Sequence, residues 1–396
     1  MQKDTNTNFQ LRTEFLKIYY LSVITGIASF SYKTNSKIKF NNIQLTRFIW
    51  PLIIIGANLF GCIYAYITSK HIKLTTLNLF VYQIVLPINF VSSIIIVFIF
   101  NSVKRRDFIN LMSNFLDIEE TVVIIDHTSR KICRFLKTFA KVSVIFVHIA
   151  YLIFESWYWG RYTHIYYETL ARVSDVIQMI LLIIFKSVVN VIQMQLDGIL
   201  RRFSNDEVDN FGKNKKASLY HSRISSMKFS NTVLLKDIGR LRKEYFYVYT
   251  LTKKTNAVFS FTLLLIILKY SIYLVYSMYC TYLIITCNAQ MCDGFDPLRI
   301  VTLLFWIIHV AASLYLITYS CNDVVLKVRQ VADNVQKLML QQEILSDDTE
   351  QLELFASQLT HNQIEFNAIA FNLNLTFFCT LMTSVCTYTI VVIQLK

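Results

Sequence analysis

Thr376, Thr380, Thr383 and Thr387, followed by Val391 and Gln394, recur every three or four residues within an apolar stretch near the carboxyl end. That spacing places all six on one face of a helix. A threonine there can bond back to the carbonyl four residues earlier and pack as a small residue against a neighbouring helix, so singly each needs no further role. The aligned set ending in an amide lowers the cost of water along that face and reads as a water-lined surface. One stripe cannot enclose a channel, but several copies around an axis can. A second group of residues suits a small-molecule pocket: Tyr82, Gln83, Glu155, Trp157, Tyr158, Trp159, Gln178, Tyr273, Tyr276, Trp306 and His309 combine aromatic walls with a few polar groups. Tryptophan and tyrosine also collect at membrane interfaces, so Trp157, Tyr158 and Trp159 equally fit an interfacial belt. Glu155 stands apart, because a carboxylate inside an apolar span is expensive and requires a partner; Arg161, Arg172 and a ligand hydroxyl are the candidates.

Catalysis is not expected. His148, His164 and His309 are isolated, and no cluster of His, Asp or Glu has catalytic spacing. The eight cysteines include no Cys-x-x-Cys and no Cys/His group with ligand spacing, so neither zinc nor any other cofactor is expected. Cys287 and Cys292 either close a small ring or remain two thiols at a membrane edge.

The elements that position these residues are membrane helices. The chain is 54% hydrophobic and 16% charged, with its apolar residues in long blocks. Seven stretches are long enough to cross a bilayer: Leu45 to Ile67, Thr76 to Phe100, Thr138 to Trp159, Val173 to Met194, Ala257 to Ile285, Leu298 to Ser320 and Asn372 to Gln394. With only three prolines they are expected to be mostly continuous, with kinks at Pro51 and Pro87. Of the 39 Lys and Arg, 29 lie in the amino-terminal segment and the second, fourth and sixth connections, against five in the other connections and the tail. Positive charge stays in the cytoplasm, which puts the amino terminus inside and the carboxyl terminus outside. This is opposite to a G-protein-coupled receptor, the alternative class of seven-helix receptor, which would signal without its own pore. The net charge of +13 is spread over inner segments, so nucleic acid is not an expected partner. Ile18 to Phe30 has the outline of a secretory signal; cleavage would invert every basic loop, so it is expected to remain as an interfacial helix with Tyr19, Tyr20 and Phe30 at headgroup level.

The inner connections carry helical patterns of their own. Val233, Leu234, Ile238, Leu241, Phe246 and Val248 form an apolar stripe leading without a proline into the fifth span. Val324, Val325, Val328, Val331, Val335, Leu338 and Met339 continue the sixth span inward in the same way. After a turn at Ser346 to Thr349, with Asp347 as cap and Glu350 three residues on, a further helix bearing Leu352, Leu354, Phe355, Leu359 and Phe366 is expected to lead up to the last span. The chain thus divides into an interfacial segment 1–44, six spans with stalks 45–371, and the last span 372–396. Stalks of this kind must bury their stripes in a compact inner anchor region.

The ending Thr387-Tyr388, five residues Thr389 to Ile393, then Gln394-Leu395, resembles the signature of insect gustatory receptors, with Leu395 where the family usually has Phe. Ile24 to Phe30, in which Gly26 and Phe30 bracket a short apolar run, is similar to their amino-terminal segment, and Phe366-Asn367-Ala368 echoes the turn before their last span. The resemblance implies an all-α protein of seven transmembrane helices that acts as a tetrameric, ligand-gated, non-selective cation channel. It also implies a small-molecule tastant as ligand, membrane lipid as surroundings, and the plasma membrane of a sensory dendrite as location. Assembly would be with copies of itself or with related receptors. Thr387 and Tyr388 would brace the last helix against its neighbours, and Val391, Gln394 and Leu395 would form the outer constriction. Leu395 alters the bulk of that constriction, and Ala370, where many relatives have Gly, stiffens the break below it.

The charge distribution generates a direct test. An epitope placed before Met1 is expected to be stained only after permeabilisation, and one after Lys396 on intact cells; staining of the Met1 epitope on intact cells would refute the orientation.

Overall fold

The computed structural model describes residues 20, 22, 23, 25–27, 45–71, 85–121, 165–214, 223–286, 297–341 and 346–394. Eight helices account for nearly all of them: α1 (Leu45–His71), α2 (Leu86–Asn101), α3 (Arg105–Thr121), α4 (Ile165–Asn214), α5 (Arg223–Thr286), α6 (Pro297–Gln341), α7 (Ser346–His361) and α8 (Leu375–Gln394). The one sheet among the described residues is an antiparallel hairpin of β1 (Asn367–Ala368) and β2 (Phe371–Asn372). Among the described residues four helices are long and apolar enough to cross a membrane, over Val173–Phe203, Ile238–Thr286, Ile300–Leu340 and Leu375–Gln394. A fifth candidate is α2 together with Arg105–Asn114, a pair bent by 67°. Helix α1 contributes a shorter apolar segment, Ile49–Tyr64. The expected third span, Thr138 to Trp159, lies outside the described residues.

The chain forms two compact units, one of residues 1–185, 261–317 and 376–396 and the other of 186–260 and 318–375. In the first, Ile54 of α1, Val97 of α2 and Ile177 of α4 pack together as core. The two prolines differ in consequence. Pro51 lies inside α1, whereas Pro87 stands in the first turn of α2, where a missing N–H breaks no bond of the helix as described, so no kink is needed there. The bend after α2 buries Phe108, Leu111 and Met112 of α3, with the Phe108 ring 5.3 Å from Phe100, edge to face. Tyr20 of the amino-terminal segment is exposed, as an interfacial residue should be, but Ser22, Thr25 and Ile27 are buried; Tyr19 and Phe30 lie outside the described residues. Gly26 explains that docking. Its φ of +71° is left-handed, and an added Cβ would stand 2.8 Å from Ile54 Cδ1 and 3.4 Å from Pro51 Cα. Its carbonyl accepts from Asn101 Nδ2 at 2.5 Å, so the Gly26 of the sequence motif lets the turn close on α1 and α2.

In the second unit the stalks pack on one another. Ile238, Leu241, Tyr245 and Val248 of α5, Val324, Val331 and Val335 of α6, and Leu352, Phe355 and Leu359 of α7 are buried at helical spacing. Phe246 and Leu354, expected in those stripes, are exposed, and Tyr245 takes the inward place beside Phe246. Helix α4 also runs on past Met194 to Asn214, an extension that the sequence reading did not foresee. Tyr245 donates to the Asn362 carbonyl at 2.8 Å, its ring packs 6.0 Å from Phe355, and Arg202 pairs with Glu244 at 2.8 Å. Helix α7 begins at Ser346, so Asp347 falls inside it rather than at its cap.

Helix α7 does not lead directly into the last one. It ends at His361, the hairpin intervenes, and α8 starts at Leu375 rather than Asn372. Phe366, expected on α7, lies beyond its end and is buried with Ile364, Ala368 and Leu373. Asn256 Nδ2 of α5 donates to the Glu365 carbonyl at 2.7 Å and ties the segment down. The tip is sharp: Ala370 N–H donates to the Ala368 carbonyl at 2.6 Å across Ile369, whose φ is +52°. A β-branched residue rarely adopts that conformation, so the strain at the break sits on Ile369 and not on Ala370. Ile369 is also exposed. Ile369→Gly is therefore expected to leave thermal stability in detergent unchanged or raise it by up to ~1 kcal/mol. Leu354→Gly, exposed within α7, should cost ~1 kcal/mol, and an equal loss at both positions would exclude strain at Ile369.

Candidate functional site

Three polar residues of α2, Asn89, Ser92 and Ser93, recur at intervals of three and one and share a face. On α4 the corresponding set is Ser174, Asp175 and Gln178, and on α5 it is Lys269 with Tyr270 and Tyr273. All of these lie in the first unit, and all are buried. At their centre is an ion pair: Lys269 Nζ lies 2.6 Å from Asp175 Oδ1, with the two side chains 1% and 4% exposed. Its other two protons go to Asn89 Oδ1 and Gln178 Oε1, both at 2.7 Å. An ammonium has three donors, and here each meets an acceptor. The Gln178 amide nitrogen lies 2.9 Å from Ser92 Oγ and 3.0 Å from Ser93 Oγ. Ser93 donates to the Ser174 carbonyl at 3.2 Å, and Ser174 donates to Asn58 Oδ1 of α1. A continuous polar chain therefore links α1, α2, α4 and α5 through the apolar interior.

Aromatic side chains adjoin the cation. Lys269 Nζ stands 5.2 Å from the Tyr273 ring centroid and 5.6 Å from that of Tyr270, within range of cation–π attraction. Tyr273 packs 5.8 Å from Trp306 of α6, and Trp306 packs 5.7 Å from His309, one turn further along. The site thus presents an aromatic wall on α5 and α6 beside a saturated ionic centre on α2, α4 and α5. The donors and acceptors of that centre are met by one another, and the rings of Tyr270, Tyr273 and Trp306 beside it are themselves buried. Among the described residues no group of His, Cys, Asp or Glu is placed to hold a metal ion.

Of the pocket residues expected from sequence, Gln178, Tyr273, Trp306 and His309 come together here, and Tyr276 is half-buried on α5. Tyr82, Gln83, Glu155, Trp157, Tyr158 and Trp159 lie outside the described residues. Lys269, Asp175 and Asn89 were missed. The signal was present, since Lys269 falls ~18 Å inside an apolar span, and an ionisable residue at that depth marks a paired site in the same way as Glu155.

The stripe on α8 is the second candidate. Thr376, Thr380, Thr383, Thr387, Val391 and Gln394 are all exposed. The helix meets its own chain on the opposite face, where Val385 and Thr389 are buried, Thr389 Oγ1 lies 3.9 Å from Met278 Sδ of α5, and Phe378 packs 5.6 Å from Tyr315 of α6. Thr380, Thr383 and Thr387 each donate to the carbonyl four residues back, at 3.0, 3.0 and 2.9 Å. With each proton directed into the helix, the outward part of each hydroxyl is an oxygen lone pair. Tyr388 is 65% exposed, and Leu395 lies outside the described residues.

Residues 17–396 match the sequence profile of the 7tm chemosensory receptor family. Two structures of the insect olfactory receptor OR5 from Machilis hrabei are similar in fold. The one in complex with eugenol has a TM-score of 0.63 at 14% identity, and the other a TM-score of 0.61 at 12%; both likenesses cover 98% of this chain and 100% of that one. No curated protein sequence matches.

The buried network predicts an unequal response to loss of an amide. Gln178→Leu removes a partner from Lys269, Ser92 and Ser93 at once and should lower stability by about 3 kcal/mol or more, at 1–3 kcal/mol for each buried group left unsatisfied. Gln193→Leu removes one half-buried bond to the Ser320 carbonyl and should cost ~1 kcal/mol. Thermal denaturation of the solubilised protein separates the two, and equal losses would mean that the Gln178 network is not closed.

Proposed function

The chain belongs to the 7tm chemosensory receptor family, and we propose that it is a gustatory receptor working as a ligand-gated, non-selective cation channel that detects small-molecule tastants. The observation that carries this reading is the geometry of α8. A single chain packs only one face of this apolar helix and leaves its hydroxyl stripe on the other. A lone helix with such a stripe would face lipid with polar groups; four copies around an axis turn the stripes toward one another and give water a continuous surface. The outward lone pairs of Thr380, Thr383 and Thr387 favour cations over anions. The exposed Tyr388 and Thr387 suit packing between neighbouring copies, and the Thr387-Tyr388 to Gln394-Leu395 ending supports taste over smell.

In this reading seven spans run from a cytoplasmic amino terminus to an outer carboxyl terminus, and Val391, Gln394 and Leu395 close the pore at its outer end. The ligand binds at the aromatic wall of Tyr273, Trp306 and His309 beside Lys269, with Glu155 and Trp157 to Trp159 as further contacts. The olfactory receptor OR5, similar in fold, is solved in complex with eugenol, a small aromatic molecule of the class that an aromatic wall suits.

Recording currents from cells expressing the full chain tests the proposal. If Gln394 lines the constriction, Gln394→Lys should suppress cation current by placing a charge on every subunit at a site where water is scarce. Gln394→Glu should increase divalent permeation or block, and Val391→Ala should give current without ligand. Val392→Ala, about 100° around the helix, should do little. Cation current through Gln394→Lys equal to the parent's, or equal sensitivity at Val391 and Val392, would exclude α8 as the pore lining.

A further inference from the structure

We propose that the Lys269–Asp175 pair is a register lock on α5, and that a ligand acts on α8 by rearranging the partners of Lys269; the second part rests on the ligand-gated reading above. The pair is deeply buried, and each proton of the ammonium is taken by a different acceptor, on α4 or α2. A buried pair of this kind adds little stability over apolar residues of the same volume, but partial separation leaves a bare charge in an apolar interior. It therefore penalises every position of α5 except the one in which all three bonds are made. Sliding α5 by one residue moves Nζ ~1.5 Å along the axis and ~100° around it, and breaks the set.

What α5 does elsewhere makes this register consequential. Met278 lies nine residues after Lys269, which is ~13.5 Å along the same continuous helix and half a turn around it. The two side chains therefore lie on opposite faces. One face of α5 is held by Asn89, Asp175 and Gln178, and the other touches Thr389 on the buried face of α8. A rigid helix between these contacts carries any shift at Lys269 to the helix that bears the hydroxyl stripe. A molecule with a hydrogen-bonding oxygen, seated against Tyr273 and Trp306, can replace one acceptor of Lys269 and release the register without stranding the charge. A purely apolar molecule at the same wall offers no such exchange.

Cys280 reports the register independently of current. It is 1% exposed and lies eleven residues after Lys269, on the same face of α5 to within about 20°. The exposed Cys379 and Cys386 on α8 serve as internal references. The test is alkylation of the full-length receptor by N-ethylmaleimide, followed residue by residue by mass spectrometry, with ligand-independent current measured at matched surface amounts. The variant is Lys269→Gln with Asp175→Asn, which keeps hydrogen bonding and charge balance but replaces charge-assisted bonds by neutral ones roughly half as strong. Cys280 should then react about tenfold faster relative to Cys379, through more frequent local opening, and basal current should rise severalfold. Lys269→Arg, which keeps the charge, should stay nearer the parent on both readouts. Parental alkylation of Cys280 in the double variant overturns the lock. Faster alkylation while neither parent nor variant conducts supports the lock and instead overturns the channel reading. Faster alkylation with parental basal current in a conducting receptor overturns the coupling to α8.

Discussion

An ammonium and a carboxylate held 2.6 Å apart in an apolar helical interior set the terms for the unit around them. Neither charge has water to fall back on, so each must be satisfied by the neighbouring helices, and this dictates the residues facing it. Asn89 and Gln178 supply the remaining acceptors for Lys269, Ser92 and Ser93 accept from the Gln178 amide, and Ser93 in turn donates to the Ser174 carbonyl. The chain of bonds runs as far as Asn58 on α1 because each polar group buried beside a charge creates a further demand. Desolvating two ions costs several kcal/mol each, so the arrangement serves specificity more than stability. Apolar side chains could fill the same volume in several registers, whereas this network is complete in one.

The same restriction shapes the aromatic wall. Tyr273 is one turn from Lys269 on α5, and its ring lies within reach of the ammonium while also packing on Trp306. The rings shield the pair from water, and in the proposed reading they are also the wall against which a ligand sits. On that reading binding and register are properties of one set of contacts. In the proposed reading this is why a small molecule can influence a distant helix: it enters where the position of α5 is decided.

Helix α8 follows a different logic. It has few internal contacts, and its threonines direct their protons into the backbone, so it presents acceptor oxygens on a face that the single chain leaves open. Before it, the hairpin places a β-branched residue at φ +52°, a conformation retained because Phe366, Ala368 and Leu373 around it are buried and Asn256 ties down the preceding Glu365. The chain direction changes there by local strain, not by a flexible glycine.

Much of this was legible in the sequence because the physics is local. Long apolar blocks must be helices in a bilayer, and the intervals of three and four from Thr376 to Gln394 must share a face, whatever surrounds them. The continuation of α5 and α6 beyond the apolar blocks could be read from their stripes and the lack of proline. Gln178, Tyr273, Trp306 and His309 could be nominated by type alone. Which residues meet was another matter. Lys269 and Asp175 are 94 positions apart, and only the packing of α2, α4 and α5 turns an expensive lysine into a satisfied one. The inward choice of Tyr245 over Phe246, the departure of Phe366 from α7 and the left-handed backbone at Ile369 likewise depend on what lies opposite. Periodicity determines which side chains share a face; tertiary packing decides which face is buried and which buried charge finds its partner.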